Sequence, residues 1–105
     1  ALHRQYDVML TPTMGAPPLP IGTVDTESAN LEVTIGQLLD FLPFTTMANM
    51  TGQPAITLPL FWSAYNLPIG SQFVGRFGDE SLLLRLAAQL EAAQPWAHRH
   101  PPVWN

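Results

Sequence analysis

The sequence predicts an α/β fold in which helices pack on short strands of a small mixed sheet, and three observations carry that prediction. The hydrophobic period changes several times along the 105 residues, from strand-like alternation to helical spacing and back. Prolines and glycines stand at most of the changes, where one element has to end before the next begins. The resulting order, strand, helices, strand, strand, helix, belongs to a layered α/β arrangement.

Taken in order, Ala1-Leu2-His3-Arg4-Gln5 reads as the end of a helix, since no capping residue precedes it. Tyr6 to Thr11 follows as a short strand, with Val8 and Leu10 on one face and Met9 on the other, stopped by Pro12. Apolar residues on both faces predict burial on both sides. Thr13 to Thr26 is dense in Pro and Gly and is expected to be irregular, with Thr11-Pro12-Thr13 crossing the end of the sheet. Leu31 to Phe41 carries a helical stripe through Leu31, Ile35, Leu38 and Leu39, weakened by Gly36 and ended by Pro43.

A second helix is predicted at Phe44 to Met50, where Phe44, Met47 and Met50 recur at helical spacing; core packing is the ordinary reading, a pocket wall the alternative. Gly52 can adopt the left-handed conformation that stops this helix, and Pro54 prevents continuation. Ile56-Thr57-Leu58 then forms a short central strand. Asn66-Leu67-Pro68 turns the chain into a strand over Ile69 to Val74, with Ile69, Ser71 and Phe73 facing one way and Gly70, Gln72 and Val74 the other. Gly70 and Gly75 are expected to leave room for close packing on the second face. The last helix starts at Gly78-Asp79-Glu80, with Asp79 as cap acceptor and Leu83, Leu86, Ala87, Leu90 and Ala93 as its stripe; Pro95 closes it.

Composition excludes several classes. A chain of 105 residues is one domain at most. Four arginines, no lysine and eight acidic residues give a formal net charge of −4, and the scattered arginines make no phosphate-binding face, so no nucleic-acid partner is expected. The absence of cysteine removes disulfides, thiolate metal sites and thiol nucleophiles, and fits a cytoplasmic protein. No apolar run is long enough to span a bilayer, so no membrane partner is expected either. Asn49-Met50-Thr51 fits a glycosylation sequon, but its ordinary reading is a helix-end asparagine bonded locally.

No self-contained catalytic constellation is visible. A Gly-x-Ser-x-Gly elbow is absent, and Gly70-Ser71-Gln72 falls inside a strand. Ser63, Ser71 and Ser81 have no histidine nearby in sequence and read as turn, strand and cap polarity. His98-Arg99-His100 lacks a third metal ligand; the tail with Trp96 and Trp104 is expected to pack over the surface. No glycine-rich phosphate loop precedes a helix, and Asp79-Glu80 is explained by the cap. Catalytic residues, metal ligands and cofactors are therefore assigned to none of these positions.

An ordered series of motifs says more. Tyr6-Asp7-Val8-Met9-Leu10-Thr11-Pro12-Thr13, then Pro17-Pro18 and Ile21-Gly22, then Phe44-Thr45 with Ala48-Asn49 and Thr51-Gly52-Gln53-Pro54-Ala55-Ile56-Thr57-Leu58-Pro59, then Leu67-Pro68-Ile69-Gly70-Ser71-Gln72-Phe73-Val74-Gly75-Arg76, then Gly78-Asp79-Glu80 and Pro95-Trp96 closely resemble the C-terminal part of the amidase signature family. The resemblance covers nearly the whole chain and is weakest between Thr23 and Asp40. It implies an α/β/α layered fold, of which residues 1–105 are the C-terminal segment of a single larger domain. It further implies an enzyme that hydrolyses a carboxamide with a serine nucleophile, a second serine in a cis peptide and a lysine proton shuttle, without metal. This sequence contains no lysine and no Gly/Ser-rich nucleophile segment. No catalytic residue carries over, and the segment alone is expected to be inactive. The implied partners are the rest of the amidase chain and a small-molecule amide, with a homodimer of the complete enzyme as a further expectation.

One position bears on substrate. In relatives of this family, the residue three before the threonine of Phe-Thr-x-x-Ala-Asn tends to face the substrate, and here it is Leu42. In members that bind a charged amino-acid head group, such as the A subunit of the glutamine amidotransferase acting on tRNA, it tends to be acidic. A leucine cannot pair with an ammonium group, which points to an apolar acyl or aryl amide bound by Phe41, Leu42 and Phe44. The competing reading is that Leu42 only packs beneath Pro43. A noncatalytic module of the same half-fold and an amidotransferase subunit are the alternatives at the level of the whole protein. The sequence also predicts an exposed apolar face where the rest of the sheet should lie.

Overall fold

The computed structural model describes residues 2–27 and 29–103. A 3-10 turn at Leu2–Arg4 leads to β1 (Met9–Pro12); α1 (Leu31–Phe41), α2 (Thr45–Thr51), β2 (Ala55–Trp62), β3 (Pro68–Val74) and α3 (Glu80–Ala93) follow. The α/β class and the element order are as expected. The three strands are hydrogen-bonded in the order β1-β3-β2 and run antiparallel throughout, where a mixed sheet was expected.

β3 is the middle strand, and its two faces organise the layers. Leu10 and Ile56 both pair with Phe73, so one face carries Leu10, Ile56, Leu58 and Phe73. α3 lies on this face: Leu58, Phe73 and Leu83 are its buried centre, with Val8, Leu60, Leu86, Ala87, Leu90 and Trp96 packed around them. The other face carries Thr57, Gln72 and the fully buried Val74. The α1–α2 turn is tied to it, because Gln72 Nε2 donates to the Phe44 carbonyl at 3.3 Å and to Thr11 Oγ1 at 3.2 Å.

Local signals account for the element ends. Asn30 Oδ1 accepts from the Val33 N–H at the start of α1. Gly52 stops α2 at φ 69°, its N–H donating to the Ala48 carbonyl at 3.0 Å. The β2–β3 hairpin is held by Ser63, whose hydroxyl accepts the N–H groups of Tyr65 and Leu67 and whose own N–H donates to the Leu67 carbonyl. Asn66 takes the left-handed position at φ 59°. The serine therefore does serve the turn.

Several expectations require correction. β2 spans eight residues rather than three and, among the described strands, lies at an edge and not in the centre; such a position tolerates Pro59, and the register shifts between Leu58 and Phe61. β1 is the other edge, so Pro12 is accommodated inside it opposite Ser71, and Leu10 stays 63% exposed instead of buried. The α1 stripe is turned away: Leu31, Ile35 and Leu39 are exposed, while Thr34 is buried with its hydroxyl on the Asp25 carbonyl at 2.9 Å. In α2, Ala48 faces inward and Met50 is exposed. Gly75 belongs to the α3 face, where a Cβ would meet Leu83. Asp79 stands at the α3 N-cap without a side-chain hydrogen bond, and Ala93 is exposed. Ala1 and Trp104, on which the expectations for the helix end and part of the tail fell, lie outside the described residues.

The molecule is a plate of 44 × 40 × 20 Å with a radius of gyration of 16.1 Å, whereas a compact domain of similar length has about 13 Å. Its accessible surface is 7829 Å², against about 5,800 Å² for a closed monomer of this mass. The excess, roughly 2,000 Å² on that scale, reflects this open shape, and large apolar side chains are part of the exposed surface. It includes Leu10, Leu31, Val33, Ile35, Leu39, Met50, Phe61 and Phe77.

Candidate functional site

Past the end of β1 the chain continues alongside β3 opposite Gly70 rather than crossing the end of the sheet, and two glycines hold it there. The Thr13 N–H donates to the Gly70 carbonyl at 3.1 Å, and Thr13 Oγ1 donates to Thr57 Oγ1 at 3.2 Å. A Cβ on Gly70 would stand 2.6 Å from Thr13 Oγ1 and 2.7 Å from Thr57 Cγ2, so only glycine lets the chain lie this close. One turn further, the Gly15 N–H donates to the Phe41 carbonyl at 2.9 Å, and a Cβ there would collide with the Asp40 carbonyl oxygen. The loop is thus clasped to the sheet at one point and to the C-terminal end of α1 at the other.

Between the two clasps lies a cleft of about 350 Å³. Its wall is overwhelmingly apolar, built by Pro12, Met14, Pro17, Phe41 and Ile69 over the backbone of Gly70. Such a hollow accepts an apolar group and supplies no proton or nucleophile.

Of the three residues expected to bind substrate, Phe41 lines this cleft. Leu42 is half-buried at the C-cap of α1; its N–H donates to the Leu38 carbonyl, and its own carbonyl accepts the Thr46 hydroxyl at 2.9 Å. Phe44 is half-buried and holds the sheet through its carbonyl. Neither Leu42 nor Phe44 is on the cleft wall; they anchor the turn that presents Phe41. Met14, Pro17 and Ile69 were not foreseen as wall residues. The signal was present in Pro12-Thr13 together with Gly70, since a strand glycine marks close approach of a neighbour.

Two other polar assemblies are structural. Arg76 Nη2 meets Asp7 Oδ1 at 2.7 Å, and its Nε donates to the His3 carbonyl at 3.1 Å, pinning the N-terminal turn beside β3. Gln53 Nε2 donates to the Gly75 carbonyl at 3.0 Å and lies 2.9 Å from His3 Nε2. In the tail, Trp96 packs on the core and the Arg99 guanidinium sits 4.2 Å from the centre of the Trp62 ring. Among the described residues no group of three His, Asp or Glu side chains is placed to hold a metal ion, and no helix is long and apolar enough to cross a membrane.

The described residues form a layered α/β plate with an apolar cleft lined by no ionisable side chain. The family model for amidases matches residues 1–84, and the chain belongs to that family, as its motif series indicated. It is similar to 6-aminohexanoate-cyclic-dimer hydrolase of Pseudomonas sp., 45% identical over 95 residues, 90% of this chain and 19% of the hydrolase. A provisional amidase, AmiC, of Mycobacterium leprae is 42% identical over 92 residues, 88% of this chain and 19% of that protein. The solved structure of 6-aminohexanoate cyclic dimer hydrolase superposes with a TM-score of 0.85 and 39% identity, covering 95% of this chain and 22% of the other. The chain spans about a fifth of the length of the curated relatives it matches.

Proposed function

We propose that this chain is the C-terminal part of an amidase domain that hydrolyses the C–N bond of a small carboxamide through a serine nucleophile, with every catalytic group on the rest of that polypeptide. In that chemistry the serine oxygen adds to the carbonyl carbon, the amine leaves with a proton, and water releases the acid. The reading is carried by one observation: 95% of the chain superposes on 6-aminohexanoate cyclic dimer hydrolase while accounting for only 22% of it. The contribution of these residues is an apolar acyl wall centred on Phe41, supported from behind by Leu42 and Phe44. The apolar wall itself favours apolar acyl or aryl amides over substrates with an ammonium group beside the carbonyl, and Leu42, off that wall, bears on the choice only through the turn that presents Phe41.

The test is a chimera in which this chain replaces the corresponding segment of 6-aminohexanoate cyclic dimer hydrolase. The expected outcome is a folded enzyme that still hydrolyses amides, with Leu42→Asp changing the order of preference among acyl groups. A folded chimera without amide hydrolysis would remove the proposal, and an unchanged preference in Leu42→Asp would remove the role given to that end of α1.

A further inference from the structure

Phe41 borders a second hollow. Between α1 and the loop before it lies a depression of about 220 Å³ whose wall includes Ala16, Leu19, Val24 and Phe41. Ala16 and Phe41 are common to this depression and to the 350 Å³ cleft. The backbone at this boundary is fixed, because the Phe41 carbonyl accepts the Gly15 N–H and the Asp40 carbonyl closes over Gly15. A half-buried phenylalanine at the end of a helix thus lines both spaces while its carbonyl is hydrogen-bonded to the loop that borders them.

We propose that the acyl site is two-chambered, that Phe41 is its partition, and that this side chain sets the longest linear acyl chain the enzyme accepts. The inference rests on the amidase reading above and adds the substrate class, unbranched aliphatic amides limited by length. A cavity of about 150 Å³ with apolar walls accommodates a benzene molecule, so the outer chamber has room for about six further carbons. Its other side carries Thr23, Gln37 and Asp40, which leaves the apolar contact to Leu19, Val24 and Phe41 itself.

The test measures kcat/KM for linear aliphatic amides of increasing acyl length, in the complete enzyme or the chimera. The Phe41→Ala variant opens the partition. Chains longer than the parent's optimum should then gain about fourfold per added methylene, until the outer chamber is full, relative to a short amide measured with the same variant. Phe41→Trp should move the optimum the other way. Should the alanine variant be unstable, Phe41→Leu gives the same shift in smaller measure. If folded variants keep the parent's length profile, the partition is refuted while the amidase reading stands. If the parent hydrolyses aryl amides but no linear amide, the partition is refuted and the amidase reading stands; if it hydrolyses neither, both fall.

Discussion

Gln72 decides whether the cleft has a stable floor, and its removal has a calculable effect. The side chain is only 2% exposed, yet it is polar and sits in the middle strand of the sheet. It donates to the Phe44 carbonyl, just before α2, and to Thr11 Oγ1 on β1. One amide thus joins three elements and fixes the turn that carries Phe41. Replacing it by leucine keeps the volume close but leaves the Phe44 carbonyl facing an apolar group. A buried acceptor without a partner costs about 1–3 kcal/mol, and the half-buried Thr11 hydroxyl adds the smaller loss of an ordinary hydrogen bond. Gln72→Leu should therefore destabilise by roughly 2–3 kcal/mol. Gln72→Glu should be worse, because a buried carboxylate cannot donate to the Phe44 carbonyl and retains only the Thr11 hydroxyl as a possible donor to it.

The assay is urea unfolding of the chimera, followed by tryptophan fluorescence. With an m value of about 3 kcal/mol/M, the midpoint falls by roughly 0.7–1 M for the leucine variant. A midpoint within about 0.2 M of the parent, or a glutamate variant as stable as the leucine one, would refute the assignment of Gln72 as the tie between sheet and turn.

Three further outcomes are expected. Gly70→Ala drives a methyl group into Thr13 and Thr57, so it should cost about 1–3 kcal/mol and raise KM for long acyl chains; a neutral effect on both would mean that the loop after β1 is free to move. The isolated chain, with its excess of accessible surface, should bind a hydrophobic dye strongly and self-associate on gel filtration, whereas a monomer without dye binding would identify a closed domain. Arg76→Ala should change stability by less than about 1 kcal/mol and less still at high salt, since Arg76 and Asp7 meet in solvent; a larger loss would show that the Arg76 contact with the His3 carbonyl, not the ion pair, carries the anchoring.

The features legible in the sequence were those with local causes. The bounds of α1, the left-handed stop at Gly52, the hairpin turn at Asn66 and the two faces of β3 all follow from residues within a turn or a strand of where they act. Features set by distant pairing were not legible. β2 was expected to be short and central, but pairing places it at an edge of the described sheet. The stripe Leu31-Ile35-Leu39 was correctly periodic and yet faces outward, since periodicity says that a helix has an apolar side and not what covers it. At the cleft, Phe41 was singled out in the sequence as a substrate contact and lies on the wall, but its clasp carried no local signal: Gly15 reads as loop composition until the Asp40 carbonyl is seen against it.

The most direct test is amide hydrolysis measured side by side for the purified 105-residue chain and for the chimera with 6-aminohexanoate cyclic dimer hydrolase. The account predicts no turnover by the chain alone and clear turnover by the chimera, because the cleft lies here and the reacting groups do not. Reproducible hydrolysis by the isolated chain would contradict it.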